Sequence, residues 1–323
     1  MEMEKVGFLT DARYLEHDPG KGHPESPSRL TAIYKRLIET GLWGKLVHIA
    51  PEFISQDDLF AVHSPDYVEL VCRETAAGKT ALSTGTGDAN ICLKSFEIAL
   101  LSAGGAIRAV DAVCTGEVNS VFCAIRPPGH HATVSEGMGF CIFNNAALAA
   151  KHAQKVHGLE RILIVDWDFH HGNGTQEIFY EDPTVFYFST HQLGRYPMPS
   201  THLGYEDQIG EGAGKGTNIN CPLPKGSGDE EIIGAFMERL VPAMKDFSPE
   251  LIIISAGFDS RQDDPIGEFN LTDNGFSHLT NIVIDIAKSS ANGRIVSLLE
   301  GGYNLAGLSA AVTAHIETLL QDA

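Results

Sequence analysis

Ile162-Leu163-Ile164-Val165-Asp166-Trp167-Asp168-Phe169-His170-His171-Gly172 is an apolar run that ends on two aspartates and two histidines. Four consecutive β-branched or leucine residues have the composition of a strand covered on both faces, as in a parallel sheet flanked by helices. Side chains alternate along a strand. An extended backbone carried past Val165 would therefore send Asp166, Asp168 and His170 to one side and Trp167, Phe169 and His171 to the other. Burying carboxylates side by side is costly unless a cation or hydrogen-bond donors neutralise them. The stretch reads as a metal site at the end of a buried strand rather than as a solvated acidic loop.

The same grammar recurs. Leu251-Ile252-Ile253-Ile254 runs through small residues to Asp259, a candidate third ligand. Val121 to Ile125 leads into Arg126-Pro127-Pro128-Gly129-His130-His131, where proline ends the strand and glycine permits a turn. Ile295 to Leu299 leads into Glu300-Gly301-Gly302-Tyr303, whose paired glycines let the backbone approach whatever Tyr303 faces. Helix-like segments cover Asn144 to His157, Asp229 to Met244, Thr272 to Ser289 and Leu305 to Leu320. Strand and helix alternate, which predicts an α/β fold with a mainly parallel central sheet and helices on both faces. Ligands bind such sheets beyond the carboxyl ends of the strands. Accidents of composition do not place carboxylates, imidazoles and a phenol after four separate strands.

With 323 residues and neither linker, repeat nor low-complexity tract, residues 1–323 read as a single domain. The start lacks the basic flank and apolar core of a signal peptide, and no apolar stretch reaches membrane-spanning length. A soluble, cytoplasmic protein without a membrane partner is expected. Cys72, Cys92, Cys114, Cys123, Cys141 and Cys221 form no C-x-x-C pair and read as reduced core residues. A formal net charge of −19 disfavours nucleic acid and favours cationic ligands such as lysine-rich peptides or polyamines.

An Asp168, His170, Asp259 set without thiolates leaves coordination positions open for water and substrate, the pattern of a catalytic zinc site. The same donors accept Fe(II), Co(II) or Mn(II). His130 and His131 suit the proton transfers that metal-activated water needs, with Asp166 and Asn173 available to fix their tautomers. Tyr303 is a candidate hydrogen-bond donor to the oxyanion. Gly210-Glu211-Gly212-Ala213-Gly214-Lys215-Gly216-Thr217 has the look of a phosphate loop, but it lacks the first glycine at the required spacing and carries Gly216 where Ser or Thr must follow the lysine.

Arg126 to Ala132, Gly139-Phe140-Cys141-Ile142-Phe143-Asn144-Asn145, Asp166 to Gly174, Ser255 to Asp259 and Glu300 to Leu305 together resemble the histone deacetylase superfamily. The match runs from Gly22-His23-Pro24-Glu25 to the C-terminal helix. Glu300, His23-Pro24-Glu25 and Asn173 look like the class II branch and its bacterial relatives, including acetylpolyamine amidohydrolases. The resemblance implies an arginase-like fold and a zinc-dependent amidohydrolase that removes acetyl groups from N-acetyl-lysine in peptides or proteins, or alternatively from acetylated polyamines. It implies Asp168, His170 and Asp259 as zinc ligands, His131 as general base and then acid, and His130, held by Asp166, as its electrostatic partner. Asn173 stands where class I members have aspartate, which leaves His131 less basic. A structural potassium ion would use Asp166, main-chain oxygens near Asp168 and His170, and the Ser189 and Thr190 region. Phe140 and Tyr196 match the aromatic walls of an acyl-lysine channel, Gly139 offers its carbonyl to the substrate amide, and Asp88 falls near a rim aspartate. Ile266 stands where a polyamine-selective relative carries an acidic gatekeeper, which argues for acyl-lysine.

Overall fold

The structure, a computed structural model, describes residues 5–197 and 203–321. Among these residues, eight parallel strands form one sheet: β1 (Val6–Leu9), β2 (Val47–Ile49), β3 (Ser120–Cys123), β4 (Ile162–Asp166), β5 (Val185–Gln192), β6 (Asn218–Leu223), β7 (Leu251–Ala256) and β8 (Ile295–Leu299). Their order across the sheet is β2-β1-β3-β8-β7-β4-β5-β6. The four strands legible in the sequence, β3, β8, β7 and β4, are the contiguous centre of that sheet. Central strands are covered on both faces, so they must be apolar at nearly every position; β4 and β7 have no exposed residue.

Among the described residues, ten α-helices flank the sheet: α1 (Ser28–Glu39), α2 (Gln56–Leu59), α3 (Pro65–Ala76), α4 (Ser95–Cys114), α5 (Asn145–His157), α6 (Asn173–Phe179), α7 (Asp229–Ala235), α8 (Val241–Phe247), α9 (Asp273–Ser290) and α10 (Leu305–Gln321). One layer packs α1, α10, α9 and the α7–α8 pair; the other packs α2 to α6. The expected helix boundaries hold to within a few residues, because the caps are written locally. Asn144 accepts from the Ala147 N–H at 2.9 Å and Thr272 from the Gly275 N–H at 3.0 Å. The expected helix from Asp229 to Met244 is interrupted by a π turn over Phe236–Leu240. Pro242 explains it: lacking an N–H and clashing with the carbonyl four residues back, it cannot continue a regular helix across that point.

The cysteines depart from expectation. Cys123, Cys141 and Cys221 are buried, but Cys72 is exposed and Cys92 and Cys114 are half-buried; all six are free thiols. No helix among the described residues is long and apolar enough to cross a membrane.

Because β7 is wholly buried, truncating Ile253 removes packing that the neighbouring strands cannot refill. Ile253→Ala is expected to lose about 2–5 kcal/mol of stability, read from the midpoint and slope of chemical denaturation.

Candidate active site

The central strands deliver their carboxyl ends to one edge. β4 pairs Asp166 with Ser189 of β5 and Ser255 of β7, and the loops beyond carry Asp168, His170 and Asp259 into contact. Their ligand atoms all lie within 4.8 Å of one another. His170 Nδ1 stands 3.1 Å from Asp168 Oδ1 and 3.0 Å from Asp259 Oδ2. Asp166 does not join them as strand alternation predicted. The strand stops at Asp166, and its carboxylate instead accepts from His130 Nδ1 at 3.0 Å and the Tyr187 hydroxyl at 2.9 Å. Alternation failed because the backbone turns as soon as it leaves the sheet.

Two buried carboxylates pressed against one imidazole require positive charge among them, carried by a bound cation or by a proton on His170. Asp168 and Asp259 are fully buried, and Asp259 Oδ2 receives no hydrogen bond of good geometry although His170 lies beside it. Burial, reinforced by the charge of Asp168, pushes the Asp259 carboxyl up to about 7. Burial works against a charged His170, yet Asp168 and Asp259 outweigh it and raise that imidazole to about 9. These donors, two carboxylate oxygens and one imidazole nitrogen, fit a divalent cation such as zinc. The backbone closes around them. Gly301 N–H donates to Asp168 Oδ2 at 2.8 Å, and a Cβ on Gly301 would stand 2.4 Å from Asp259 Oδ2, so only glycine allows this approach.

His130 and His131 are buried with ring centroids 4.0 Å apart, yet their surroundings drive them in opposite directions. Burial disfavours the charged form of His130, but Asp166 and Asp168 overcome it and push it up to about 10. His131 falls well below the usual histidine value through burial and then the positive charge of His130 and His170. Its Nδ1 lies 2.8 Å from Asn173 Oδ1, and Asn173 Nδ2 points at the His131 carbonyl and the Met138 sulfur. That network assigns the His131 proton to Nδ1 and leaves Nε2 as the acceptor.

A cavity of about 340 Å³ opens onto these groups. Phe140 and Tyr196 form its walls, the former edge-on to Tyr303 at 6.0 Å and the latter edge-on to His131 at 4.7 Å. Asp88, Gly139 and Ile266 also line it, so the structure brings every expected pocket residue to one place. Asp88 Oδ1 accepts from the Gly139 N–H at 2.8 Å and from the Tyr196 hydroxyl at 3.4 Å. Gly139 has φ +56°, and a Cβ there would stand 2.2 Å from His131 Cδ2. Phe140 follows with φ +67°, a strained conformation for an aromatic residue that aims its ring into the cavity. Ser189 and Thr190 are buried, Ser189 opposite Asp166 in the strand register, and the Ser189 hydroxyl bonds His191 Nδ1 at 2.8 Å. A larger cleft of about 710 Å³, lined by Glu177, Glu181 and Asp182, includes none of the three ligands; the chemistry, not the volume, marks the smaller cavity.

Sequence reasoning missed the supports. Asp264 accepts four backbone N–H groups, those of Tyr303 (2.7 Å) and Asn304 (3.2 Å) on one oxygen and those of Ile266 (2.9 Å) and Gly267 (3.0 Å) on the other. It thereby ties the Tyr303 loop to the Ile266 loop. Beneath Tyr303, Arg29 donates to the carbonyls of Gly302, at 2.7 Å, and Glu300, and its guanidinium lies 5.2 Å from the Tyr303 ring centre. Glu25 binds both Arg29 (3.1 Å) and Arg126 (2.6 Å), with all three side chains fully buried. Arg195, at the exposed rim, was also missed. A buried arginine looks like any other in a sequence, and no local pattern marks Glu25, Arg29 and Arg126 as partners.

A family model described as the histone deacetylase domain matches residues 23–319. The chain belongs to the histone deacetylase family. The human polyamine deacetylase HDAC10 is 41% identical over 320 residues, covering 97% of this chain and 47% of that protein. A probable deacetylase of Archaeoglobus fulgidus is 41% identical over 304 residues, 94% of this chain and 82% of that one. The crystal structure of the HDA15 HD domain aligns with a TM-score of 0.91 at 38% identity over 99% of this chain and 90% of the other. The chain thus spans about half the length of its human relative, and its fold is that of a histone deacetylase domain, the catalytic domain of hydrolytic deacetylases.

Glu25 supplies a test of the layer under Tyr303. Burial opposes its charge, but Arg126, His17 and Arg29 hold its carboxyl well below the usual range. A depressed folded-state pKa means that the unfolded chain binds more protons in acid, so this contribution is complete above about pH 4.3 and is lost progressively below it. Glu25→Gln is expected to cost about 3–5 kcal/mol at pH 7, because it leaves two guanidinium groups uncompensated, and to flatten the acid limb of stability against pH. Denaturant titrations at pH 7 and pH 4 read both effects.

Proposed function

We propose that this domain hydrolyses N-acetyl-lysine in peptides or proteins. The observation that carries the reading is the convergence, at the floor of one aromatic-walled cavity, of the Asp168, His170, Asp259 donor set with neutral His131 and protonated Tyr303. A zinc ion held by those three residues would polarise the acyl carbonyl and render water nucleophilic at neutral pH. His131 takes the attacking water's proton at Nε2 and returns it to the departing amine as the amide C–N bond breaks, releasing acetate and leaving the lysine side-chain amine free on the peptide. His130, kept charged by Asp166, stabilises negative charge nearby and keeps His131 from protonating prematurely. Burial, then the charges of Asp259 and Asp168, hold the Tyr303 hydroxyl well above its ordinary pKa, so it keeps its proton and donates to the oxygen that becomes negative. Such a donor is worth about 3 kcal/mol. Phe140 and Tyr196 sandwich the aliphatic lysine stem, the Gly139 carbonyl accepts from the substrate amide N–H, and Asp88 grips substrate backbone at the rim. A potassium ion on Asp166, the main chain near Asp168 and His170, and the Ser189–Thr190 segment would add positive charge behind the site; the register that places Ser189 opposite Asp166 supports it.

Peptide is favoured over polyamine by the lining. An acetylpolyamine brings a further ammonium that needs an acid, but Ile266 offers a hydrocarbon, Arg195 repels it, and Asp88, the one carboxylate in the lining, has one oxygen shared by Thr86, Gly139 and Tyr196 and only the other free. Acetylpolyamine hydrolysis remains the second reading, favoured by the name of the human relative and by the net charge of −19. The ratio of kcat/KM for an acetyl-lysine tripeptide to that for N-acetylputrescine is expected to exceed one; a ratio below one transfers the assignment to polyamines.

Tyr303→Phe is expected to lower kcat by about 100- to 1000-fold while the zinc content stays at that of the unaltered chain. An unchanged kcat removes Tyr303 from the reaction.

A further inference from the structure

A second cluster of metal-ligand side chains lies outside the pocket. Asp111 sits in the last turn of α4, and His152 and His157 belong to α5, of which His157 is the final residue. Helices in a parallel sheet run against the strands, so these C-terminal ends lie at the edge opposite the catalytic loops. His152 Nε2 stands 2.8 Å and His157 Nε2 2.7 Å from one oxygen, Asp111 Oδ1. The three ligand atoms lie within 4.8 Å of one another.

The geometry points to a second metal site at this α4–α5 junction, in which Asp111, His152 and His157 bind a divalent transition metal of the zinc or cobalt class, with remaining positions open to water. The donor set, two imidazoles and one carboxylate, suits zinc and excludes magnesium, which takes oxygen ligands. His152 is buried and its Nδ1 has no hydrogen-bond partner, so the polar contact that orients the ring is that of Nε2 with Asp111. Two helix C-termini end within a turn of the cluster, and their unsatisfied carbonyl dipoles favour positive charge there. Neighbouring cations are already neutralised, Lys155 by Asp58 at 2.9 Å and Arg108 by Glu117 at 2.6 Å. Tetrahedral zinc with bonds of about 2.0–2.1 Å needs ligand atoms about 3.3 Å apart. Asp111, whose side chain is 36% exposed, has room to open the present separations by the half-ångström or so required. The alternative is a pair of imidazoles merely hydrogen-bonded to a carboxylate, and metal content separates the two.

The experiment breaks the catalytic ligand set with Asp168→Ala and Asp259→Ala in the full chain, saturates it with zinc at pH 7, removes loose ion by gel filtration, and counts zinc per chain. About one equivalent is expected, falling to none when His157→Ala is added; cobalt in place of zinc should give a visible absorption band that vanishes with the same substitution. No zinc in the parent variant, or equal zinc with and without His157, overturns the site. Should the parent variant fail to fold, the unaltered chain and His157→Ala alone are compared. Two equivalents against one, with deacetylation unaffected, is expected, and equal content overturns the proposal.

Discussion

Four carboxylates, Asp166, Asp168, Asp259 and Glu300, are fully buried at one edge of the sheet, and the surrounding structure is arranged to make that concentration of negative charge tolerable. Isolated burial of even one ionised carboxylate is prohibitive, so each must find donors or cations, or take up a proton. Asp166 finds His130 and Tyr187; Asp168 finds the backbone of His170 and Gly301; Glu300 accepts from the N–H groups of Gly129 and His130 at 2.7 and 3.2 Å. Asp259 Oδ2 faces only the His170 ring, at 3.0 Å and without a hydrogen bond of good geometry, and burial lifts Glu300 to about 7. The residual deficit of positive charge falls where Asp168, His170 and Asp259 meet, which is why a cation belongs there.

A second buried electrostatic layer carries the tyrosine. Arg29 grips carbonyls on either side of Gly301, and Asp264 clamps the N–H groups of Tyr303 and its successor, so the loop is held through both kinds of backbone group. Glu25 neutralises Arg29 and Arg126 together, and Arg126 reaches on to the carbonyls of Tyr14 at 2.8 Å and His17 at 3.0 Å. A chain of charges thus connects the segment around β1 to the loop after β8. Replacing such a network by apolar side chains would not orient a phenol, whereas a satisfied network fixes direction as well as position.

The parts of this arrangement that the sequence discloses are those where chemistry and hydrophobicity coincide along the chain. β3, β4, β7 and β8 are central, hence unbroken apolar runs, and each hands over directly to the residues it positions. β1, β2, β5 and β6 were not singled out; β2 and β6 are edge strands with partly exposed positions, and β5 mixes in Ser189, Thr190 and His191, which blur an apolar signal. The placement of Asp88, Gly139, Phe140, Tyr196 and Ile266 around one cavity came from family resemblance, since no local pattern joins residues separated by up to 178 positions (88 to 266). Asp264 escaped notice because its partners are backbone N–H groups, which every residue has. Asp111 escaped because its histidines lie 41 and 46 positions away on another helix.

The adjacent histidines show how little of a residue's behaviour belongs to its own side chain. His130 and His131 share backbone, burial and near neighbours, yet one is raised to about 10 and the other depressed well below the ordinary value. The difference lies in what each Nδ1 meets, a carboxylate at 3.0 Å or an amide oxygen at 2.8 Å. A carboxylate stabilises imidazolium, whereas an amide fixes the tautomer without adding charge. Once His130 is charged, its field acts on His131 at a ring separation of 4.0 Å and depresses it further, so the first assignment enforces the second. An aspartate in place of Asn173 would place a negative charge against His131 and oppose that depression, narrowing the gap between the two rings. The division of labour between a charged partner and a neutral base therefore rests on Asn173 as much as on the histidines.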